Sequence, residues 1–296
     1  LSFFTDLYWD NFLGSGQLIA LRGNFGKATT YEFKYFNPWM WDDRKSFTFK
    51  TWFRDGEVSA VNPLDSSNGF RGERSKGVEV GVGLPHSYEL RTSHFFKHEA
   101  VTLTESSKRY LLYTYTFGIS YDSRDIRYQP LNGQYYTFYV EKGIDLHHRA
   151  LEFTKFDLSF KNYFQTFENQ TIATRFTYGK ITSPRINEKD LFSREIYYLG
   201  GSNTLRGYEE WPPTFSGIQM LLGTVEYRFY INDIFQAVGF VDTGFATDGK
   251  INSLKQFRVG KGVGVRIRTP LGPLRLDYGI DDKGDGRVHF NIGHSF

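Results

Sequence analysis

The sequence predicts an all-β, transmembrane, antiparallel up-and-down β-barrel. Three observations carry that reading. Period-2 alternation of apolar and polar residues recurs along almost the whole chain, and helical periodicity is nearly absent. The composition is 18% aromatic (29 Phe, 20 Tyr, 5 Trp), yet the mean hydropathy is −0.46, which fits strands with one greasy face and one wet face. Tight turns alternate with longer loops, as in outer-membrane barrels, whose periplasmic turns are the short ones. A soluble β-sandwich or closed barrel would also alternate. About fifteen consecutive hairpin strands without a helix, with aromatics recurring near strand ends, favour the membrane.

Strands are expected near 1–13, 17–26, 29–38, 45–55, 73–84, 86–99, 108–122, 133–145, 150–166, 169–180, 216–231 and 234–246. Three more follow. Phe257, Val259, Val263, Val265 and Ile267 oppose Arg258, Gly260, Gly262, Gly264, Arg266 and Arg268; Leu274, Leu276, Tyr278 and Ile280 oppose Arg275 and Asp277; Val288, Phe290, Ile292 and Phe296 oppose Arg287, His289, Asn291 and Gly293. Their lengths suit the roughly 9–11 residues a tilted strand needs to cross the hydrocarbon. The tight connections are Leu13-Gly14-Ser15-Gly16, Leu84-Pro85-His86, Asn232-Asp233 and Thr269-Pro270-Leu271-Gly272-Pro273; the longer ones are 55–72, 100–107, 146–149, 181–215, 247–254 and 281–286.

The 296 residues contain no cysteine, which excludes a disulfide scaffold and a thiolate metal site. No run approaches 18 apolar residues, so no transmembrane helix is expected, and no signal peptide is visible. Leu1 lies inside a strand-like run, so the natural amino terminus is expected upstream. The net charge of +3, with Lys and Arg dispersed, gives nucleic-acid binding little support. No linker or second domain is evident, and 1–296 reads as one barrel domain.

One segment interrupts the hairpin pattern: Leu199-Gly200-Gly201-Ser202-Asn203-Thr204-Leu205-Arg206-Gly207-Tyr208. By itself it reads as a surface loop with a Gly-Gly turn and a solvated Arg. Downstream, Glu226 shares a strand face with Arg228, opposite Val225, Tyr227 and Phe229, and a further strand carries Phe240-Val241-Asp242-Thr243-Gly244. Taken together these phrases resemble the BamA-type outer-membrane β-barrel assembly proteins, which carry a Val/Leu-Arg-Gly-Phe/Tyr loop and an aromatic-x-Asp-x-Gly strand. Asp122-Ser123-Arg124-Asp125 with Pro130 and Gly133 resembles the family's Asp-x-Arg-Asp turn, and Arg268-Thr-Pro-Leu-Gly-Pro-Leu-Arg275 matches a terminal hairpin of the family.

The resemblance implies a 16-stranded barrel type. The readable strands number about fifteen, and Asp10-Asn11-Phe12-Leu13-Gly14 matches the family's second strand, so the first strand and the periplasmic polypeptide-transport-associated domains are expected to be absent. It implies that the 199–208 loop folds into the lumen, with Arg206, Gly207, Tyr208, Gly200 and Gly201 as a latch and Asp242, Glu226 and Gly244 as its partners on the wall. It also implies a weak seam at the last strand, carried by Val288, Phe290, Ile292, Gly293 and Phe296, where client strands add by β-augmentation.

The function implied is insertion and folding of barrel proteins in a Gram-negative outer membrane. The implied partners are the lipid bilayer, unfolded β-barrel clients and, through the absent domains, accessory periplasmic lipoproteins. A two-partner-type secretion pore or a lipase-fused relative would share the Arg loop, and a passive porin is a further alternative.

No enzyme activity, cofactor or metal is expected. Gly260-Lys-Gly-Val-Gly264 superficially suggests a phosphate loop, but that needs a strand leading into a helix; here the strand continues, and the glycines leave room on one face. His94 and His98 share a face but lie roughly 13 Å apart at about 3.3 Å per residue, too far to chelate one metal.

Overall fold

The computed structural model describes residues 3–26, 28–40, 44–60, 69–103, 109–127, 129–146, 150–184, 195–210, 215–249, 256–269 and 273–292. The strands are β1 (Phe3–Phe12), β2 (Gln17–Phe25), β3 (Ala28–Met40), β4 (Lys45–Ala60), β5 (Gly69–Pro85), β6 (Leu90–Leu103), β7 (Arg109–Asp122), β8 (Gly133–Gly143), β9 (Phe153–Phe167), β10 (Gln170–Thr182), β11 (Tyr197–Tyr198), β12 (Ser216–Gly217), β13 (Gln219–Tyr230), β14 (Phe235–Thr247), β15 (Arg258–Ile267), β16 (Leu274–Ile280) and β17 (Gly286–Ile292). Fifteen of them form one sheet in chain order, β1 to β10 and then β13 to β17, while β11 and β12 pair separately. The registers at both ends of the order are antiparallel throughout. No helix among the described residues is long and apolar enough to cross a membrane; strands do the crossing in this class.

The burial pattern is inside-out. In β13 to β17 one face of each strand carries exposed apolar side chains, with Val263, Val288 and Phe290 at 63%, 65% and 65% exposure, while the other face buries charged ones, with Glu226, Asp242 and Arg275 at 0%, 0% and 1%, alongside a few apolar residues such as Leu222, Val238 and Phe240. A soluble sheet buries the opposite set. An apolar outward face with a polar inner face is the wall of an outer-membrane barrel.

Contacts divide the chain into two compact units. The first spans 1–119, 139–155 and 182–194. On its inner face Trp52 donates from Nε1 to Glu99 Oε1 at 3.0 Å, and both are buried. Its β1–β2 turn is held by Asn11, whose Oδ1 accepts from Gly16 N at 2.7 Å. Gly14 and Gly16 there have φ of 72° and 69°, the left-handed region glycine enters without a Cβ penalty. The second unit spans 120–138, 156–181 and 195–296 and contains the candidate site. Its 123–132 turn is organised by Asp125, whose carboxylate accepts from the amides of Ile126, Leu131 and Asn132, and by Arg124, which grips Asp122 with Nε and Nη2 at 2.7 and 2.9 Å.

Several boundaries differ from the alternation pattern. β4 and β5 run to Ala60 and from Gly69, well past the expected 55 and 73. Their register continues as far as Ala60↔Gly69, and Arg74 and Asp55 pair at 2.6 Å. β6 starts at Leu90 rather than 86, because the His86 and Ser87 amides both donate to the Leu90 carbonyl and close a turn. Ser216 and Gly217 belong to β12, and the long strand begins at Gln219. Within the Pro270 turn, residues 270–272 lie outside the described residues.

Candidate functional site

The connection between β10 and β13 does not stay at the strand ends. The Tyr197–Tyr198 and Ser216–Gly217 pairs form the small second sheet. Tyr197 anchors one side of it by donating to Asp157 Oδ1 at 2.8 Å and to the Phe156 carbonyl at 3.1 Å. After Tyr198, residues 199–210 fold against the inner faces of β13 to β17, and Leu199, Leu205 and Tyr208 are buried. Gly200 and Gly201, at φ of 120° and 91°, make the tight bend. Thr204 closes it: its hydroxyl donates to the Gly200 carbonyl at 2.8 Å and accepts from the Gly200 amide at 2.9 Å.

Arg206 is 2% exposed. Its Nε and Nη2 donate to the two oxygens of Asp242 at 2.7 and 2.9 Å, and its backbone amide donates to the same carboxylate at 3.1 Å. Nη1 donates to Glu226 Oε1 at 2.7 Å and lies 3.8 Å from Asp277 Oδ2. The guanidinium stacks over Phe240 at 3.5 Å from the ring centre. The planar fork suits two carboxylates and an aromatic face at once, which an ammonium cannot do. Burial disfavours the Arg206 charge, but the Asp242 hydrogen bonds and the surrounding carboxylates outweigh it and hold the guanidinium's pKa above its ordinary value.

Further charges complete the cluster. Arg228 grips Glu226 Oε2 at 2.9 Å, and Arg266 donates to Asp277 Oδ1 at 2.5 Å. Arg275 donates to the Ser202 carbonyl at 2.5 Å and to Asn203 Oδ1 at 3.0 Å, and Arg175 donates to the Asn203 carbonyl at 2.9 Å. Two guanidinium groups from the strands therefore hold the loop backbone while Arg206 holds the strands. Such a network is tolerable in a buried site because each carboxylate has a hydrogen-bonded cation.

Neighbouring loop positions fit the wall by shape. A Cβ on Gly260 would collide with the Arg206 carbonyl oxygen, and one on Gly279 would come within 2.5 Å of Gly207 N. Gly207 itself has φ of 92°, and its own Cβ would meet Ile280 at 2.8 Å. The room left by Gly260 of β15 and Gly279 of β16 is thus filled by the loop, whereas the positions beside Gly262 and Gly264 are taken by Phe240 and by Asp277 and Arg266. Gly244 packs where a Cβ would meet the Leu221 carbonyl at 2.6 Å and Leu199 at 3.2 Å. The Tyr208 hydroxyl donates to the Val259 carbonyl at 3.3 Å and accepts from the Asp282 amide at 3.2 Å.

The structure thus brings Arg206, Gly207, Tyr208, Gly200 and Gly201 together with Asp242, Glu226 and Gly244. Val288 and Phe290 point outward on β17. Ile292 is in the strand, but its side chain, with Gly293 and Phe296, lies outside the described residues. The loop also reaches β17: Gly207 N donates to His289 Nε2 at 3.0 Å, and Asn291 Nδ2 donates to Ser202 Oγ at 2.9 Å. Sequence reasoning missed this role for His289 and Asn291, as it did the loop-holding roles of Arg175 and Arg275. For His289, Asn291 and Arg275 the available signal was their inward register opposite Val288, Phe290 and Leu276.

A model described as the Omp85 superfamily domain matches residues 11–296. The chain belongs to the Omp85 superfamily. Relatives include chloroplastic Outer envelope protein 80 of Arabidopsis thaliana, 38% identical over 110 residues, covering 33% of this chain and 15% of that protein. Outer membrane protein assembly factor BamA of Nitratidesulfovibrio vulgaris is 26% identical over 195 residues, covering 59% of this chain and 24% of that protein. This Omp85 chain therefore corresponds to a minor part of those relatives' length. Its fold is that of BamA from Haemophilus ducreyi lacking POTRA domains 1–3, with a TM-score of 0.76 at 17% identity over 99% of this chain and 66% of that one.

Proposed function

We propose that this Omp85 chain is the membrane part of an assembly factor that inserts and folds β-barrel proteins in a bacterial outer membrane. The observation that carries the reading is the grip of the Arg206 loop on the inner faces of β14 to β17, the strands that end the sheet order. β17 is the last strand of the sheet order and pairs with β16. A strand edge presents unpaired amides and carbonyls that template another strand. The loop steadies the inner side of this edge, through His289 and Asn291, while a client's strand adds to it. The Nitratidesulfovibrio relative's name supports the client class. No bond is made or broken in this scheme, and no cofactor takes part; the free energy comes from client strand pairing and burial in the bilayer.

The experiment is reconstitution into phospholipid vesicles with an unfolded barrel client, folding being read from the client's heat-resistant migration on gels. Faster client folding than in empty vesicles supports the proposal. A large steady conductance without acceleration identifies a porin, and export of a soluble polypeptide without acceleration identifies a secretion pore.

A further inference from the structure

We infer that the outward face of β13 to β16 binds an anionic phospholipid, with an acyl chain in a trough at Gly239 and the phosphate against Lys261. The registers define the trough. Tyr227, Gly239, Val263, Tyr278 and Val288 stand opposite one another across five strands, and the next row is Phe229, Ala237, Val265, Leu276 and Phe290. β14 thus contributes its two smallest outward residues, Gly239 and Ala237, side by side between larger neighbours. A Cβ on Gly239 would meet nothing within 4 Å. The resulting groove has room of about 530 Å³, and its walls are almost wholly apolar. It is open to the side, so a flexible chain can lie down in it.

Lys261 lies one row away on the same face, in the row Val225, Val241, Lys261, Ile280. That is two residues along β15 from Val263, about 7 Å at 3.3 Å per residue. It is exposed, and it is the one charged residue at an outward position of β13 to β17 among the described residues. No acid at those positions can pair with it. A cation facing lipid is costly at mid-depth and cheap near the headgroups. Lys261 is the fourth residue of β15, close to the strand end, and its four-carbon stem can carry the ammonium to the headgroup level. A lone cation at one end of an apolar trough complements a molecule with one anionic end and one hydrocarbon end. A phosphodiester lipid has that form, and a zwitterionic lipid satisfies the charge less well.

This inference rests on the membrane-barrel fold and not on client folding, so either can fail without the other. The test is native mass spectrometry of the full protein from detergent, titrated separately with dioleoylphosphatidylglycerol and dioleoylphosphatidylcholine. Several-fold stronger retention of one phosphatidylglycerol is expected. Lys261→Gln should reduce it to the phosphatidylcholine level, Lys261→Arg should keep it, and Gly239→Leu, which fills the trough, should weaken both lipids. Equal retention of the two lipids, or unchanged phosphatidylglycerol retention in Lys261→Gln, overturns the proposal. So does a second copy of the chain in place of lipid. If Gly239→Leu fails to fold, the Lys261→Gln and Lys261→Arg pair still decides.

Discussion

Replacing Arg206 with Ala should release the 199–208 loop from the wall while leaving the strands intact. The structure shows where the cost falls. Glu226 loses its 2.7 Å bond to Arg206 but keeps Arg228 at 2.9 Å. Asp277 keeps Arg266 at 2.5 Å. Asp242 loses both side-chain bonds, at 2.7 and 2.9 Å, and among the described residues retains the backbone amide of residue 206. At 0% exposure it becomes a buried charge with one neutral donor. Removing one partner of a buried ion pair costs about 3–5 kcal/mol, which shifts loop docking by a factor of at least about 100. The assay is limited proteolysis with chymotrypsin, because Leu205 and Tyr208 flank the substitution, with circular dichroism to monitor strand content. Arg206→Ala should be cut at least tenfold faster with an unchanged spectrum. Adding Asp242→Asn removes the stranded charge and should restore part of the protection, a coupling that a double-mutant cycle measures. If Arg206→Ala resists chymotrypsin as the parent does, the loop is held by shape and the Arg275 and Arg175 contacts, and the latch argument fails.

Other consequences can be checked separately. Gly260→Ala puts a methyl group into the Arg206 carbonyl and should expose the loop to chymotrypsin, whereas Gly239→Ala, with open space around it, should not. Tyr208→Phe loses the hydroxyl contacts to Val259 and Asp282 and should lower loop protection in hydrogen exchange by about 0.5–1.5 kcal/mol. In the 281–285 turn, burial raises the Asp282 pKa, but the hydrogen bonds from Arg258 and Tyr208 outweigh it, and the net shift is downward. A depressed folded pKa contributes stability that is present above the unfolded value and lost as pH falls through the folded value. Amide exchange at residues 281–285 should therefore rise below about pH 4 in the parent, and less so in Arg258→Gln.

The strands were legible because their residues alternate, and in β13 to β16 that alternation matches burial of one face and exposure of the other. The same signal weakens where glycine and charged residues crowd an element's end. β4 and β5 pair on to Ala60 and Gly69, where Val58 and Phe70 stand among Glu57, Ser59, Gly69, Arg71 and Gly72 in a stretch rich enough in turn-forming residues to read as a loop. β11 and β12 are two residues each, too short for any period. The Arg206 partners were reachable only through resemblance, since nothing in the spacing of residues 206, 226 and 242 brings them together before the sheet register is known. Arg266, Arg275 and Asp277 were visible as an inward-facing charged set, but alternation does not say which inward charges meet a loop. His289 was one of seven scattered histidines, and its contact with Gly207 depends on how deeply the loop enters.

The central claim is that clients add a strand at β17. The most direct test places single cysteines at outward and inward positions of β17, such as Val288, His289 and Phe290, in this cysteine-free chain, with partners along the terminal strand of a folding client in native membranes. The account predicts disulfides that follow one strand register and disappear when the client is folded. Crosslinks absent at every position, with the barrel itself intact, would contradict it.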